Sequence, residues 1–159
     1  MTAPTASTRL TPTGIKLPDG YQSLITFSRD RDVSFWEKTV KPPGLDGGDA
    51  IDTTTMHNVL YRTFTSRSLQ TMTDAATTVA YDPAVFSQIL TNLVNQPGVV
   101  TVAYPDGSTL AFYGYLRSFE PNELSEGAQP EASVTITCTN QDPVTGAEEA
   151  AVLTSVAGT

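Results

Sequence analysis

The chain has 159 residues, a formal net charge of -8, and charged side chains at only 16% of its positions. This length favours a single domain over two separate cores, and roughly one residue in six is threonine, a β-branched type suited to strands. No apolar run approaches the ~20 residues of a membrane span and the first residues lack a secretory signal pattern, so we expect neither a membrane segment nor export.

Cysteine and histidine usage argues against disulfide and zinc scaffolds. Cys138 is the only cysteine, and His57 is the only histidine. One cysteine cannot form an intrachain disulfide, and these two residues provide no Cys/His zinc spacing. We therefore expect no metal and no cofactor.

The acidic excess is confined to the second half of the chain. Residues 1–80 carry eight basic and eight acidic side chains, whereas residues 81–159 carry Arg117 against nine acidic ones. Because such a surface repels phosphate, sequence-specific binding of nucleic acid is disfavoured.

The first third of the chain is predicted to be an arm followed by strands and a long loop. Residues 1–14 are rich in Thr, Pro and Ala without an apolar period, which indicates a flexible arm. Residues 20–27 and 33–40 are strand candidates. The density of Pro, Gly and Asp in residues 41–52 predicts a loop without regular structure.

One helix is predicted after two further extended segments, residues 58–65 and 72–81. Asp82 is a favourable N-cap, and Pro83 suits the first helical position. Apolar residues then recur at helical spacing, at Phe86, Ile89, Leu90, Leu93 and Val94. This pattern predicts an amphipathic helix of three to four turns that lies on a sheet.

The second half is predicted to contain a hairpin and one more strand. Residues 99–104 and 109–119 are joined by Pro-Asp-Gly-Ser, a turn sequence. Residues 131–138 alternate between apolar and hydroxyl side chains, as a half-buried strand does. Residues 140–159 have too little apolar surface to fold alone, so we expect them to be disordered or ordered by a partner.

Candidate catalytic groups lack the companions that catalysis needs. His57 has no nucleophilic serine motif near it, and no Gly-x-Ser-x-Gly sequence occurs. The carboxylate pairs Glu120 with Glu123 and Glu148 with Glu149 lie in polar segments, where pKa tuning is weak. We therefore predict that the protein is not an enzyme.

A calcium-binding β-module is an alternative raised by the Gly- and Asp-rich residues 44–52. Calcium-binding nonapeptide repeats have a related composition, but here the repeat occurs once and lacks stacked neighbours. The spacing of Asp46, Asp49 and Asp52 also fails the helix-loop-helix calcium pattern.

Short motifs follow one another along most of the chain in a fixed order. They are Leu17-Pro18-Asp19-Gly20-Tyr21, Pro43-Gly44-Leu45-Asp46-Gly47-Gly48-Asp49, Ile51-Asp52-Thr53-Thr54-Thr55-Met56, Arg67-Ser68-Leu69, Tyr81-Asp82-Pro83, Pro105-Asp106-Gly107-Ser108, Phe112-Tyr113-Gly114-Tyr115-Leu116, Ser118-Phe119-Glu120-Pro121, Glu126-Gly127, Gln129-Pro130 and Val134-Thr135-Ile136. The ordered set resembles the major tail tube proteins of long-tailed, siphovirus-like bacteriophages.

The resemblance implies a mainly β fold in which two packed antiparallel sheets form a tail-tube sandwich or barrel. One flanking helix, a long inter-strand loop and extended terminal arms complete it. The expected limits are a flexible N-terminal arm at residues 1–14, the tail-tube β domain at 15–140 and a C-terminal arm at 141–159. Sheet edges left unpaired in one subunit are expected to pair with neighbouring subunits.

The resemblance also implies a structural virion protein whose stacked hexameric rings form the tail tube, the conduit for DNA. Its expected partners are further copies of itself, a tape-measure protein, and tail-terminator and baseplate proteins, while DNA passes through without sequence-specific binding. The expected location is the virion tail, and the host cytoplasm during assembly. The alternatives are a tail-terminator or baseplate-proximal ring protein of the same fold, or the calcium-binding module.

Two sets of site residues follow from these expectations. The loop expected to contact neighbouring subunits or rings contains Pro43, Gly44, Leu45, Asp46, Gly47, Gly48, Asp49, Ile51, Asp52, Met56 and His57. The residues expected to face the lumen are Glu120, Glu123, Glu131, Ser133, Thr135 and Thr137. An acidic lumen would repel phosphate and let DNA slide without adhering.

Overall fold

The computed structural model describes residues 23–28 and 35–155, and this part of the chain is mainly β with one flanking helix. Its elements are β1 Leu24–Phe27, β2 Glu37–Lys41, β3 Leu45–Asp46, β4 Ile51–Asp52, β5 Phe64–Thr65, β6 Thr71–Met72, β7 Ala75–Ala80, α1 Pro83–Asn92, β8 Gly98–Ala103, β9 Thr109–Pro121, β10 Glu131–Cys138 and β11 Val152–Thr154. The predicted fold class is confirmed. The predicted arm at residues 1–14 lies outside the described residues.

The central structure is an antiparallel sheet with strand order β1-β8-β9-β10-β7-β2, and β11 pairs with the first residues of β9. The sheet curls until its two ends meet. At the meeting point, the backbone N–H of Ile25 in β1 donates a hydrogen bond to the side chain of Glu37 in β2. A bulge between Thr135 and Ile136 shifts the register of β10 on β9 and adds to the curvature. The predicted sandwich or barrel is therefore built from one sheet that folds over itself.

The core fills the inside of this curled sheet. In β10, the alternation predicted from the sequence is confirmed: Ala132, Val134 and Ile136 are buried, and the hydroxyl residues between them lie on the opposite face. The other fully buried side chains come from β1, β7, β8, β9 and the helix with its C-cap, and the largest are Ile25, Val79, Ile89, Leu93, Val100, Val102 and Leu116.

Helix α1 begins where the sequence predicts, but it ends at Asn92, so that Leu93 is its C-cap and Val94, which is 37% exposed, lies beyond it. The side chain of Asp82 accepts a hydrogen bond from the N–H of Ala84, and Pro83 occupies the first turn. Ile89 and Leu93 are buried, whereas Leu90 is 68% exposed and does not belong to the stripe that packs on the sheet. No helix in the described part of the chain is long and apolar enough to span a membrane.

The turn between β8 and β9 has the predicted conformation. Gly107 has a positive φ of 88°, which a glycine adopts without strain. Asp106 accepts hydrogen bonds from the N–H of Ser108 at 2.9 Å and from its hydroxyl at 2.6 Å. These hydrogen bonds lower the pKa of Asp106, the one from the hydroxyl having the larger effect.

Two predictions about irregular segments are wrong. Residues 41–52 were predicted to lack regular structure, but they contain β3 and β4. Residues 140–155 were expected to be disordered or ordered by a partner, yet β11 pairs with β9 of the same chain. In both cases the pairing strand is distant in sequence, so local composition did not indicate it.

Candidate assembly surfaces

A long hairpin, residues 44–73, projects between β2 and β7. Its two sides are joined by the pairs β3 with β6 and β4 with β5, and the N–H of Thr73 donates to the carbonyl of Gly44 at its base. The predicted subunit-contact loop forms the first side of this hairpin. The predicted strand at residues 58–65 is shorter than expected, because only β5 forms.

Hydrogen bonds between exposed side chains hold the hairpin together without a core. Arg67 donates through Nε to the carbonyl of Asp49 at 2.8 Å, and Arg62 forms an ion pair with Asp52 at 3.4 Å. The hydroxyl and N–H of Thr54 lower the pKa of Asp52, with a smaller contribution from Arg62. Isolated two-stranded hairpins are marginally stable in water, so contact with a partner would increase the stability of this one.

Asn58 organises the hairpin tip, residues 55–61. Its Oδ1 accepts from the N–H of Thr55 at 2.8 Å, and its Nδ2 donates to the carbonyl of Tyr61 at 3.1 Å. The sequence analysis did not single out Asn58. Asparagine is a common turn residue, and its position between His57 and Val59 in an otherwise irregular stretch could have indicated it.

The hairpin leaves many large apolar side chains exposed to water, which is unfavourable for a monomer. The side chains of Met56, Val59, Leu60 and Tyr61 at the tip are 81% to 101% exposed. Nearer the base, Leu45, Ile51, Phe64 and Leu69 are also exposed. Of the predicted contact residues only Pro43 is buried, while His57 lies exposed at the tip. Large apolar side chains exposed together in one segment indicate a site of association.

The three aspartates considered as calcium ligands are not brought together. Asp46 accepts a hydrogen bond from the N–H of Gly48, and Asp52 is bound to Thr54 and Arg62. Asp49 contributes its carbonyl oxygen to Arg67. Among the described residues, no group of three His, Cys, Asp or Glu side chains could hold a metal ion.

A polar face lies on the side of β2, β7, β10 and the second half of β9 that points away from the core; we name it the outer face. Ser133 is exposed and Thr135 half-buried, while the hydroxyl oxygen of Thr137 is buried and has no hydrogen-bond partner among the described residues. Ser133 is paired with Glu120, and Glu131 is paired with Ala80. The structure therefore places all predicted lumen residues except Glu123 on one face, and Glu123 lies in the loop beyond β9.

Two cations of the outer face are neutralised, whereas Lys41, opposite Ala76, is exposed and forms no ion pair with the described residues. Lys38 forms an ion pair with Glu131, and Arg117 forms one with Asp74 at 3.1 Å. Both pairs are partly exposed, so each contributes little stability. Their effect is instead to remove two positive charges from a surface that also carries the exposed Glu120.

The outer face ends at two strand edges. Within residues 23–28 and 35–155, β2 pairs with β7 alone, and residues 117–121 of β9 pair with β10 alone. Unpaired N–H and C=O groups along such an edge are available for a strand from another chain.

A cleft of about 640 Å³ lies between the base of the hairpin and the C-terminal segment, residues 140–155. Leu45, Leu69 and Leu153 line it and are 62% to 81% exposed. Glu148 and Glu149 also line it, and no lysine or arginine does. Nearby, the negative charge of Asp142, burial and, to a smaller degree, the negative charge of Glu149 raise the pKa of Tyr113. The sequence analysis missed the cleft, because its walls are far apart in the sequence.

Comparison with known proteins gives a structural likeness only. No protein-family model and no curated protein matches the chain. Among solved structures, a chain in the tail of an empty gene transfer agent particle, determined with C6 symmetry, superposes with a TM-score of 0.61 at 12% identity. The match covers 87% of this chain and 100% of that chain.

Two further structures share the fold. A chain in the virion of a native gene transfer agent particle gives a TM-score of 0.58 at 12% identity, covering 87% of this chain and all of that one. A chain of the anti-feeding prophage baseplate, symmetrised six-fold, gives 0.52 at 8% identity, covering 79% and 94%. The chain therefore has a tail-tube-like fold.

Proposed function

We propose that this protein is a non-enzymatic subunit of a phage-like tail, and that its copies assemble into stacked, hexameric rings that form the tail tube. The observation that carries the proposal is the fold, which matches a tail chain over 87% of this chain in an assembly of C6 symmetry. The exposed apolar hairpin and the two edges that no described strand covers give this fold a physical means of association.

In this assembly the sheets of neighbouring subunits continue one another. The edge of β2 and the edge at residues 117–121 of β9 lie at opposite ends of the same four strands. A copy that pairs its β2 with the β9 of the next copy satisfies both edges, and repetition of one such contact closes a ring. The terminal segments, residues 1–14 and 141–159, are proposed to add contacts between subunits.

The outer face would then line the lumen. Ser133, Thr135 and Thr137 present small polar side chains there, and the cations Lys38 and Arg117 are held in ion pairs. A wall whose cations are mostly held in ion pairs retains phosphate weakly, so DNA would pass with little adhesion, and Lys41 is the exposed exception among the described residues. Glu120, Glu123 and Glu131 are proposed to add repulsion.

Electron microscopy of the concentrated, purified protein tests the assembly. The proposal expects long hollow tubes with a six-fold end view. A protein that stays monomeric at high concentration, and is missing from purified particles, would contradict it.

A single-ring component of the same fold is the second candidate. The match to a baseplate chain favours it, because a chain of this fold also occurs in a baseplate. Isolated rings that do not elongate would support a tail-terminator or baseplate-proximal role over a tube. In either role the partners are proposed to be further copies, a tape-measure protein, and terminator and baseplate proteins, in the virion tail after assembly in the host cytoplasm.

The lumen assignment has its own test. Ser133→Lys would place a positive charge on the proposed wall, and we expect it to slow DNA delivery by assembled particles. Ser133→Gln is the control for size, and Glu120→Gln with Glu131→Gln removes repulsion. Unchanged delivery in the lysine variant, despite normal tubes, would contradict the assignment.

A further inference from the structure

We propose that, in the unassembled subunit, residues 9–17 of the chain occupy the cleft between the hairpin base and the C-terminal segment of the same molecule. The proposal goes beyond the proposed function, because it describes a contact within one chain before any ring forms. It is carried by the place and polarity of the cleft, by the composition of the N-terminal sequence, and by the position at which that sequence joins the fold.

The cleft lies at the end of a row of core residues. Ile25 in β1 pairs with Val102 in β8, and Val102 pairs with Leu110 in β9. Leu110 in turn pairs with Leu153 in β11. Directly paired residues lie on the same face of a sheet. Ile25 and Val102 are 1% and 0% exposed and Leu110 packs against the core, but Leu153 remains 62% exposed in the cleft. The apolar surface of the cleft therefore continues the core, and no described residue covers it.

The charged groups that line the cleft are carboxylates. Glu148 and Glu149 line it, and neither forms an ion pair with a described residue. Asn140 lines it as well, and its Oδ1 is buried without a hydrogen-bond partner in the described part of the chain. No described lysine or arginine is among the lining residues. A cleft with apolar walls and unpaired acceptors fits a segment that combines apolar with basic side chains.

The N-terminal sequence has this composition. Residues 1–18 carry Arg9 and Lys16 and no acidic side chain, in a chain whose net charge is -8. The large apolar side chains near these two cations are Leu10, Ile15 and Leu17. Docking would remove them from water together with the exposed leucines of the cleft, and this removal favours the docked state.

Most other cations of the chain have acidic neighbours. Ion pairs hold Lys38, Arg62 and Arg117. In residues 29–32, arginine alternates with aspartate. The exposed Lys41 belongs to the outer face. The charge complementarity therefore points to the N-terminal sequence as the occupant.

The N-terminal sequence joins the fold within reach of the cleft. The row from Ile25 to Leu153 crosses three strand spacings of about 4.8 Å, so β1 lies within about 15 Å of this wall of the cleft. Leu17 precedes Ile25 by eight residues. A chain of that length spans up to about 26 Å, at about 3.3 Å per residue. Because a short linker keeps the segment near its own cleft at a high effective concentration, the same chain is favoured over a second copy.

A docked segment would tie together two parts of the molecule that are distant in sequence. One wall of the cleft is the hairpin base, with Leu45 and Leu69, and the other is the C-terminal segment, with Leu153. A segment between them contacts both walls. It would hold the hairpin base against the C-terminal segment and shield apolar surface while the subunit is alone.

Zero-length cross-linking of an isotopic mixture tests the contact. Unlabelled chains and chains labelled with heavy nitrogen are mixed in equal amounts, at a concentration at which they sediment as monomers. A carbodiimide then joins lysine amines to the carboxylates that they touch, and mass spectrometry identifies the joined peptides. The internal control is the cross-link between Lys38 and Glu131, which form an ion pair in the described structure.

We expect Lys16 to be joined to Glu148 or Glu149, in pairs of peptides that are both light or both heavy. Mixed pairs as abundant as unmixed ones would overturn the inference, because they would show that the occupant is a second copy. The absence of both cross-links from a sample in which Lys38 is joined to Glu131 would overturn it as well.

Proteolysis gives a second measurement. Trypsin cleaves after Arg9 and Lys16, and a docked segment is protected until it leaves the cleft. Glu148→Gln with Glu149→Gln should accelerate this cleavage about fivefold, because the loss of two charges raises the undocked population.

The matched control is Glu123→Gln with Glu126→Gln, which removes two charges from exposed residues that do not line the cleft. We expect the control to be cleaved as fast as the parent protein. Equal rates of cleavage in the two double variants would overturn the inference. Both measurements are made on single subunits, so their outcome is independent of whether tubes form.

Discussion

The backbone N–H of Ile25 donates a 3.1 Å hydrogen bond to the carboxylate Oε1 of Glu37, although their strands lie at opposite ends of the sheet. The ends of the curled sheet thus meet through a side chain at this position. Nearby, the rings of Phe27 and Phe35 contact edge to face, with centroids 5.9 Å apart. The meeting of the two ends therefore combines one polar contact with aromatic packing.

Removing the acceptor at this junction should destabilise the fold. Ile25 is 1% exposed, so Glu37→Ala leaves a shielded N–H without its acceptor, and we expect a loss of about 1–3 kcal/mol in the free energy of unfolding. Glu37→Gln keeps an acceptor oxygen and should cost less than about 1 kcal/mol. Urea denaturation measures both, and equal losses in the two variants would show that the hydrogen bond is not the cause.

Gly114 is the position where β9 and β10 approach too closely for a side chain. A Cβ there would lie 2.5 Å from the carbonyl oxygen of Thr137. We expect Gly114→Ala to destabilise by about 1–3 kcal/mol, since the strands must move apart. The control is Gly47→Ala, whose Cβ meets nothing within 4 Å, and its effect should stay within about 0.5 kcal/mol. A stabilising effect of Gly114→Ala would contradict the close approach.

Asn58→Ala should separate assembly from stability. The side chain of Asn58 holds the tip through Thr55 and Tyr61, away from the core. We expect the free energy of unfolding to change by less than about 0.5 kcal/mol, while the yield and length of tubes fall. Asn92→Ala, on the exposed face of α1, is the control. Normal tubes in the Asn58 variant would mean that tip geometry does not guide assembly.

Cys138 should react slowly with thiol reagents while the protein is folded. Burial, with a smaller contribution from the charge of Asp74, raises the pKa of its thiol from 9.0 to about 11. At pH 8 this lowers the thiolate population about a hundredfold, and the thiolate is the reactive form. The rate of modification measures this, and the chain unfolded in urea provides the unperturbed reference. Equal rates in the folded and unfolded chain would contradict the shift.

The turn at Asp106 should make stability depend on pH in the acidic range. Hydrogen bonds from Ser108 lower the pKa of Asp106 below 3.8 in the folded state. A lowered folded pKa contributes stability that is present above pH 3.8 and is lost as the pH falls through the folded pKa. Asp106→Asn should therefore destabilise at pH 6 but converge on the parent protein at low pH. Parallel curves across that range would contradict this origin.

Local chemistry explains the parts of the fold that the sequence predicts well. Asp82 and Pro83 begin a helix through backbone geometry that involves only their neighbours, and the Pro-Asp-Gly-Ser turn is similarly local. Alternation in residues 131–138 predicts which face of β10 is buried, because the pleat of a strand has a period of two. Local patterns did not predict the hairpin, because β3 pairs with β6 across a gap of more than twenty residues.

The sequence by itself determined the β-rich composition, the single helix, the turns, the acidic second half and the order of motifs that resembles tail tube proteins. Only the tertiary structure decided that the Gly- and Asp-rich loop is one side of a projecting hairpin, that residues 152–154 return to β9, and that hairpin base and C-terminal segment enclose a cleft. The physical reason is that each of these features depends on pairing or packing between segments far apart in the chain, whose partners no local pattern specifies.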